Sequence, residues 1–440
     1  MPSNPVIVVP GITASQLRDE YPVEPEVVWS AVFNRDYDRI ALHPDDVRYE
    51  RDEPARVATD QVFKLPYGEL IAELRHDLSP HADEPVPVYP FAYDWRRALD
   101  HTENRLTTFF EEVIERTALL PHYFKAGWHK RPRVDLVGHS MGGLVIAGWL
   151  QSRKSAPLIG KIATLGSPYR GSLEVPLKIT TGLADLGTGA SASREREVAR
   201  LTPALYHLIP SFSGAVTADP GLSDSLFDPA AWQPKIIDTL AEYLRLHGRD
   251  ASLKTQQRKT QARELFASLL KQAAAHRKRL ESFNPSQTGL TPDDWLCIVG
   301  VGSETRTQMH IKKVGGQPEF VITSEDRLDQ YKDPNPDKSV KTGDGTVPYL
   351  GAACAFIPKE KIVCVTPAEF GYWELKDRLL EGPVGLHGML PAMNLIHRLI
   401  VSHFLGKRRP GTLGRRAPDL PDSAAWKPPI KGLIERKKTD

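Results

Sequence analysis

Ser140 lies in the run VDLVGHSMGG (Val134–Gly143), with Gly138 and Gly142 two positions away on either side. An apolar strand pattern precedes it and a helical pattern follows, the setting of a sharp turn that lifts a serine hydroxyl off the carboxyl end of a sheet. Such a turn forces the serine into a strained backbone region that only tiny neighbours tolerate, hence the flanking glycines. The helix N-terminus behind the serine favours negative charge developing beside it. The chemistry this implies is acyl transfer, in which the serine oxygen attacks a carbonyl carbon and holds the acyl group. A chance G-x-S-x-G in an arbitrary loop would carry no such meaning; here the strand before and the helix after give it weight.

A serine hydroxyl is a poor nucleophile until a histidine takes its proton, and the histidine needs a carboxylate to fix its tautomer. In the α/β-hydrolase fold that this turn implies, the chain order is Ser, then Asp or Glu, then His. Asp344 in TGDGTVPY is the best-framed carboxylate, because glycines on both sides suit a tight turn that presents a side chain. Asp326, Asp329, Asp333 and Asp337 compete, but their polar stretch reads as a solvated loop. His387 in VGLHGML lies in a Gly-containing loop ahead of the last helix. His397 and His403 fall inside that helix pattern, where a packed or surface histidine is the commoner explanation. Backbone N–H donors must also face the developing oxyanion. Met141, after the nucleophile, is one. The loop VVPGITAS offers the other at Gly11 or Ile12, although a Pro-Gly turn ending a strand is common in any fold.

These residues need a sheet to bring them together. Short β-branched runs mark six strands: Pro5–Pro10, Val86–Tyr89, Val134–Gly138, Lys161–Leu165, Trp295–Val299 and Lys361–Val365. Near-continuous apolar strands are expected where helices cover both sheet faces. Helical patterns lie between them at Asp100–Arg116, Met141–Gln151 and about Pro391–Phe404, the last with proline at its start. The fold class predicted is therefore α/β: a mostly parallel, doubly wound sheet with an inserted helical cap. The predicted division is a first core part over residues 1–172, a cap over 173–291, a second core part over 292–410 and a basic, Pro-containing tail over 411–440. The cap stretch shows no clear strand and two main helix candidates, Pro234–His247 and Arg258–Phe283. A smaller excursion at Glu304–Lys341 contains a hairpin pattern around VGGQPEFVI. The tail, rich in Pro and Lys/Arg, is expected to be loosely ordered.

Composition bounds the function. Of 440 residues, Lys+Arg number 57 and Asp+Glu 55, a balance that argues against nucleic acid or an acidic polymer as partner. Cys297, Cys354 and Cys364 have no metal-ligand spacing and fit buried thiols in a reducing compartment better than a disulfide framework. The lack of a Gly-rich Lys-Ser/Thr loop argues against phosphoryl transfer, and nothing points to a metal or redox cofactor. The start, MPSNPVIVVPG, has no basic n-region, long apolar core or cleavage site. A cytoplasmic protein is thus expected, with signal-independent export left open.

Together the motifs resemble the lecithin–cholesterol acyltransferase-like lipases, a family that includes a lysosomal phospholipase and phospholipid:diacylglycerol acyltransferases. The matching pieces are VPGITAS, FAYDWRRALD (Phe91–Asp100), GHSMGG, TLGSPYRGS (Thr164–Ser172), CIVGVGSETR (Cys297–Arg306), GDGTVP (Gly343–Pro348) and HGML (His387–Leu390), in the family's order. The resemblance implies a Ser140–Asp344–His387 triad, with Ile12 and Met141 as oxyanion donors. It implies a phospholipid or neutral-lipid ester as substrate, its acyl group passing through serine to water or an alcohol. Asp94, Trp95 and Arg96, beside Gly11, would line or brace the site. Animal members carry a disulfide-closed lid near the N-terminus; Val23–Ile40, with Trp29 and Phe33, occupies that region here without cysteine.

Arg258–Phe283 puts Leu265, Phe266, Leu269, Leu270 and Ala273 on one face and many basic residues on the other. Two readings stand: an interfacial helix making peripheral contact with a membrane surface, or a cap helix packing its stripe inward. At the level of the whole protein the alternatives are a carboxylesterase or thioesterase for small acyl groups, or an inactive hydrolase fold that binds without turnover.

Overall fold

The computed structural model describes residues 2–30, 34–52, 54–153, 158–182, 192–322, 342–370 and 385–436. The chain enters on β1 (Val6–Val9) and then forms β2 (Ser15–Asp19), β3 (Glu26–Ser30), β4 (Asn34–Arg35) and β5 (Val57–Val62). Helix α1 (Lys64–Leu78) leads to β6 (Val88–Pro90), α2 (Leu99–Ala118), β7 (Val134–His139), α3 (Met141–Gln151) and β8 (Ile159–Leu165). An insertion carries α4 (Glu174–Thr181), α5 (Ala192–Arg200), α6 (Pro203–Tyr206), β9 (Val216–Ala218), α7 (Lys235–His247) and α8 (Thr255–Glu281). The chain returns through β10 (Trp295–Gly300), β11 (Met309–Val314), β12 (Gln317–Val321), β13 (Val363–Val365) and α9 (Asn394–Leu405).

The main sheet has six strands in the order β13-β10-β8-β7-β1-β6, every pair parallel. They are the six expected strands, with ends shifted by a residue or two. Alternate residues face opposite sides, so Ile7, Val9 and Leu136 enter one core while Val6, Val8 and Val137 enter the other. Helices α2 and α3 cover the first face through Leu106, Phe110 and Leu144. Helices α1 and α9 cover the second through Leu70, Leu74 and Leu399. Residues 141–150 of α3 are all buried, because α2 and the cap helix α8 close over it. This is the α/β-hydrolase fold.

Four features differ from expectation. Strands β2 to β5 build an antiparallel sheet in the order β4-β3-β2-β5, which no strict alternation announces. Among its described residues the cap carries a strand after all: β9 pairs in parallel with β11, which pairs with β12 across the Gly315–Gly316 turn, both glycines at positive φ. Three residues are too few for a periodicity to register, and only the hairpin gives β9 a partner. The predicted hairpin is present. The last helix begins at Asn394, and the proline expected at its start sits in a 3-10 turn over Leu390–Ala392.

The tail does not fit loose ordering. Arg415 exchanges both backbone hydrogen bonds with Cys364 on the outer edge of β13. Trp426 Nε1–H donates to the Ile362 carbonyl at 2.9 Å, and Ala417 and Ile430 are buried. An open edge strand draws such a cover, and its backbone bonds need no hydrophobic pattern. Helix α8 buries Phe266, Leu269, Leu270 and Ala273 against α3, α6 and α7, which decides for the inward-packing reading and leaves that stripe no lipid surface to meet. No helix among the described residues is long and apolar enough to cross a membrane. Cys297, Cys354 and Cys364 are free and buried.

Candidate active site

The loops that carry Ile12 and Ser140 leave the carboxyl ends of β1 and β7 in the parallel sheet, whereas Asp344 comes after the β11–β12 hairpin. Ser140 follows β7 at φ 53° and ψ −126°, and α3 starts at the next residue. Among the described residues the only non-glycines at positive φ are Ser140 and Thr13, the latter at 63° in the loop after β1. Backbone strain at two adjoining loops is the kind that persists where function demands it. The elbow closes because Gly142 lets α3 press on β1: a Cβ there would lie 2.1 Å from the Val9 carbonyl oxygen.

His387 sits in a helical turn, Leu386–Met389, and its Nε2 lies 2.8 Å from Ser140 Oγ. Its Nδ1 lies 2.7 Å from Asp344 Oδ2. The other oxygen, Oδ1, accepts the N–H groups of Thr346 at 3.0 Å and Val347 at 2.7 Å. Those two bonds fix the carboxylate plane, and the His387 N–H donates to the Asp344 carbonyl at 3.0 Å, tying the two loops together. Ser140, His387 and Asp344 retain 5%, 8% and 1% of their exposure. A hydroxyl, imidazole and buried carboxylate in this sequence can pass a proton from oxygen to nitrogen and stabilise the imidazolium that results.

Gly166, after β8, lies beside both partners at φ 53°. A Cβ there would stand 2.9 Å from Asp344 Oδ2 and 3.3 Å from His387 Nδ1. His397 and His403 lie in α9, buried, their Nε2 atoms against the carbonyls of Pro391 and Asp294, and burial pushes His403 down to about 4. Asp326, Asp329, Asp333, Asp337 and Phe33 lie outside the described residues.

Of the two candidates in the first loop, the Gly11 N–H is already engaged, donating to Tyr67 Oη at 2.9 Å. The Ile12 and Met141 amides find no acceptor among the described residues, which leaves both available to an oxyanion. Beside Ile12 lies a small, largely apolar cavity of about 30 Å³, lined by Ile12, Trp29, Trp95, Val198 and Leu205, with the buried Lys178–Glu195 ion pair in its wall. Its volume is about that of one water molecule, well below that of a ligand pocket. Ser140 and His387 do not line it.

Asp94 and Arg96 face away from this chemistry. The Arg96 guanidinium meets Asp94 twice at 2.9 Å, Glu50 at 2.8 Å and the Ile40 carbonyl at 3.1 Å. Burial pushes the Asp94 carboxyl up, but Arg96 outweighs it and holds it below its ordinary value. Trp95 Nε1–H donates to the Ser15 carbonyl, and its ring packs 5.0 Å from Trp29. The trio pins the turn after β6 to the antiparallel sheet. Sequence reasoning missed Tyr67 and His139, whose side chains meet at 2.6 Å behind Ser140. The histidine was visible in GHSMGG, but Tyr67 lies in an ordinary amphipathic helix and gives no signal.

The six parallel strands, the cover of helices and the serine turn at the strand ends define an α/β-hydrolase. Residues 84–365 match the lecithin:cholesterol acyltransferase family, and the chain belongs to it. That family places it among hydrolases and acyltransferases of lipid esters. A solved structure, the Tle4–Tli4 complex, matches at a TM-score of 0.59 and 14% identity, over 91% of this chain and 98% of that one. At such identity the likeness speaks for the fold alone. The mature lipase BlEst2 of Bacillus licheniformis, at a TM-score of 0.24 and 13% identity over 57% of this chain and 77% of that one, carries no argument. No curated protein matches.

Proposed function

We propose that the chain is a serine-dependent lipid-ester hydrolase or acyltransferase working through an acyl-Ser140 intermediate. The observation that carries this reading is the line Ser140 Oγ–His387 Nε2–Asp344 Oδ2, at 2.8 and 2.7 Å. In it His387 takes the Ser140 proton as Oγ attacks the ester carbonyl. The Ile12 and Met141 amides hold the oxyanion. The imidazolium then returns its proton to the departing alcohol, and water or a second alcohol repeats the sequence in reverse to release the acyl group. Gly11, whose own amide is bonded to Tyr67, sets the approach of the loop to the serine. Asp94, Trp95 and Arg96 act as braces. Residues 173–291 form the cap on the two-part core.

The test is turnover of phospholipid and p-nitrophenyl ester substrates, with products profiled by mass spectrometry, together with fluorophosphonate labelling. Ser140→Ala is expected to lose both, and a phospholipid losing one chain to the wild type alone would name donor and regiochemistry. Retained labelling of Ser140→Ala would overturn the reading. An ester chain-length series that favoured acetyl over long acyl groups would overturn the lipid part of it.

A further inference from the structure

Behind the serine a chain of buried hydrogen bonds crosses the site. The Gly11 N–H donates to Tyr67 Oη at 2.9 Å, Tyr67 Oη lies 2.6 Å from His139 Nδ1, and His139 Nε2 lies 2.9 Å from the His387 carbonyl oxygen. Direction follows from chemistry. An amide N–H only donates and a carbonyl only accepts, so the Tyr67 oxygen accepts from Gly11, its hydroxyl donates to Nδ1, and Nε2–H donates to the carbonyl. Only a neutral His139 satisfies all three. Burial and the facing imidazole of His387 push its pKa well below the ordinary value, in agreement. The rings of His139 and His387 lie 5.1 Å apart.

We propose that His139 and Tyr67 are positioning residues that hold the first loop and the His387 loop in register on either side of Ser140. One end of the chain is the residue before Ile12, whose amide is the proposed oxyanion donor. The other end is the backbone of the base itself. Tyr67 is 1% exposed and His139 5%, so water cannot substitute for either without opening the core. Histidine suits the middle place because it offers an acceptor and a donor on opposite sides while staying uncharged. A charged side chain there would meet the imidazolium formed at His387 during turnover, and like charges at that separation in a buried site repel strongly.

The inference rests on the serine reading above, and the experiment separates the two. Tyr67→Phe, His139→Gln and the double variant would be assayed in the full chain with a soluble ester, beside Ser140→Ala. Tyr67→Phe and His139→Gln should each lower kcat about ten- to a hundredfold with KM within about twofold, the scale of a small misplacement of reacting groups. The double variant should fall about as far as the worse single one, because either change breaks the same chain. Fluorophosphonate labelling should slow in step with kcat, while the acid limb of the kcat/KM pH profile stays where it was, His139 being neutral throughout. Wild-type kcat in Tyr67→Phe, or losses that appear in KM alone, would overturn the proposal; should His139→Gln fail to fold, Tyr67→Phe decides. An active Ser140→Ala would instead sink the serine reading itself.

Discussion

Glu103 Oε1 lies 2.7 Å from His276 Nε2 across the seam between α2 of the core and α8 of the cap, with both side chains buried. Burial pushes the glutamic acid up to about 8 and the histidine down to about 3, so between those limits the pair holds one proton in total. Which atom carries it does not alter the count. With ordinary values of 4.5 and 6.5, the unfolded pair holds one proton only between those two. Below 4.5 the unfolded chain binds the extra proton, and above 6.5 it has lost the one the native pair keeps. The contribution of the pair is therefore greatest between pH 4.5 and 6.5, falling as pH drops towards 3 and as it rises towards 8. Thermal melting against pH should show the wild type losing ground to a Glu103→Gln/His276→Gln variant as pH climbs from 6.5 to 8. A constant difference over that range would refute the buried shared proton.

Asp344→Asn should cut kcat about 10⁴-fold without unfolding the protein. The Thr346 and Val347 amides demand an acceptor, so the asparagine oxygen stays with them and its NH₂ turns to His387 Nδ1. That nitrogen must then accept, which leaves the proton on Nε2 and no base for Ser140. Steady-state kinetics and circular dichroism check both halves.

Gly166→Ala would put a methyl group 2.7 Å from Leu390 Cδ1 and 2.9 Å from Asp344 Oδ2, at a φ that L-residues resist. A stability loss of about 1–2 kcal/mol is expected from the backbone alone. A kcat loss of about a hundredfold should accompany it as acid and base shift apart. Unchanged kinetics in this variant would show that the acid and base loops yield without harm.

Arg96→Met should destabilise by about 3–5 kcal/mol, because it strands two carboxylates beside a buried gap. Denaturant unfolding measures the loss. If Arg96 only braces the turn, the fraction that remains folded should keep its KM; a raised KM in folded protein would mean instead that Arg96 meets substrate.

Much of this was legible in the sequence because it rests on local rules. The six strands announced themselves as short β-branched runs, since a parallel strand covered on both faces carries its apolar character in its own residues. Ser140 was marked by glycines two positions away, which answer a strain felt within one turn, and Asp344 and His387 by their glycine-flanked loops. The antiparallel sheet of β2 to β5, the cap strand Val216–Ala218 and the tail packed on β13 left no comparable mark, because what holds them is backbone hydrogen bonding to distant segments.

The sequence by itself therefore determined which residue types could perform acyl transfer and the order in which the chain presents them. Tertiary structure alone decided that the Gly11 amide is committed to Tyr67 while Ile12 stays available, that Asp94 and Arg96 pair with each other and Glu50 away from Ser140, and that the stripe of α8 faces the core. The physical reason is range: propensity, turn strain and hydrophobic period act over a few residues, whereas Tyr67 reaches His139 across 72 positions and His139 reaches the His387 carbonyl across 248. Contacts of that span are fixed by how whole elements pack, and no short window of residues contains them.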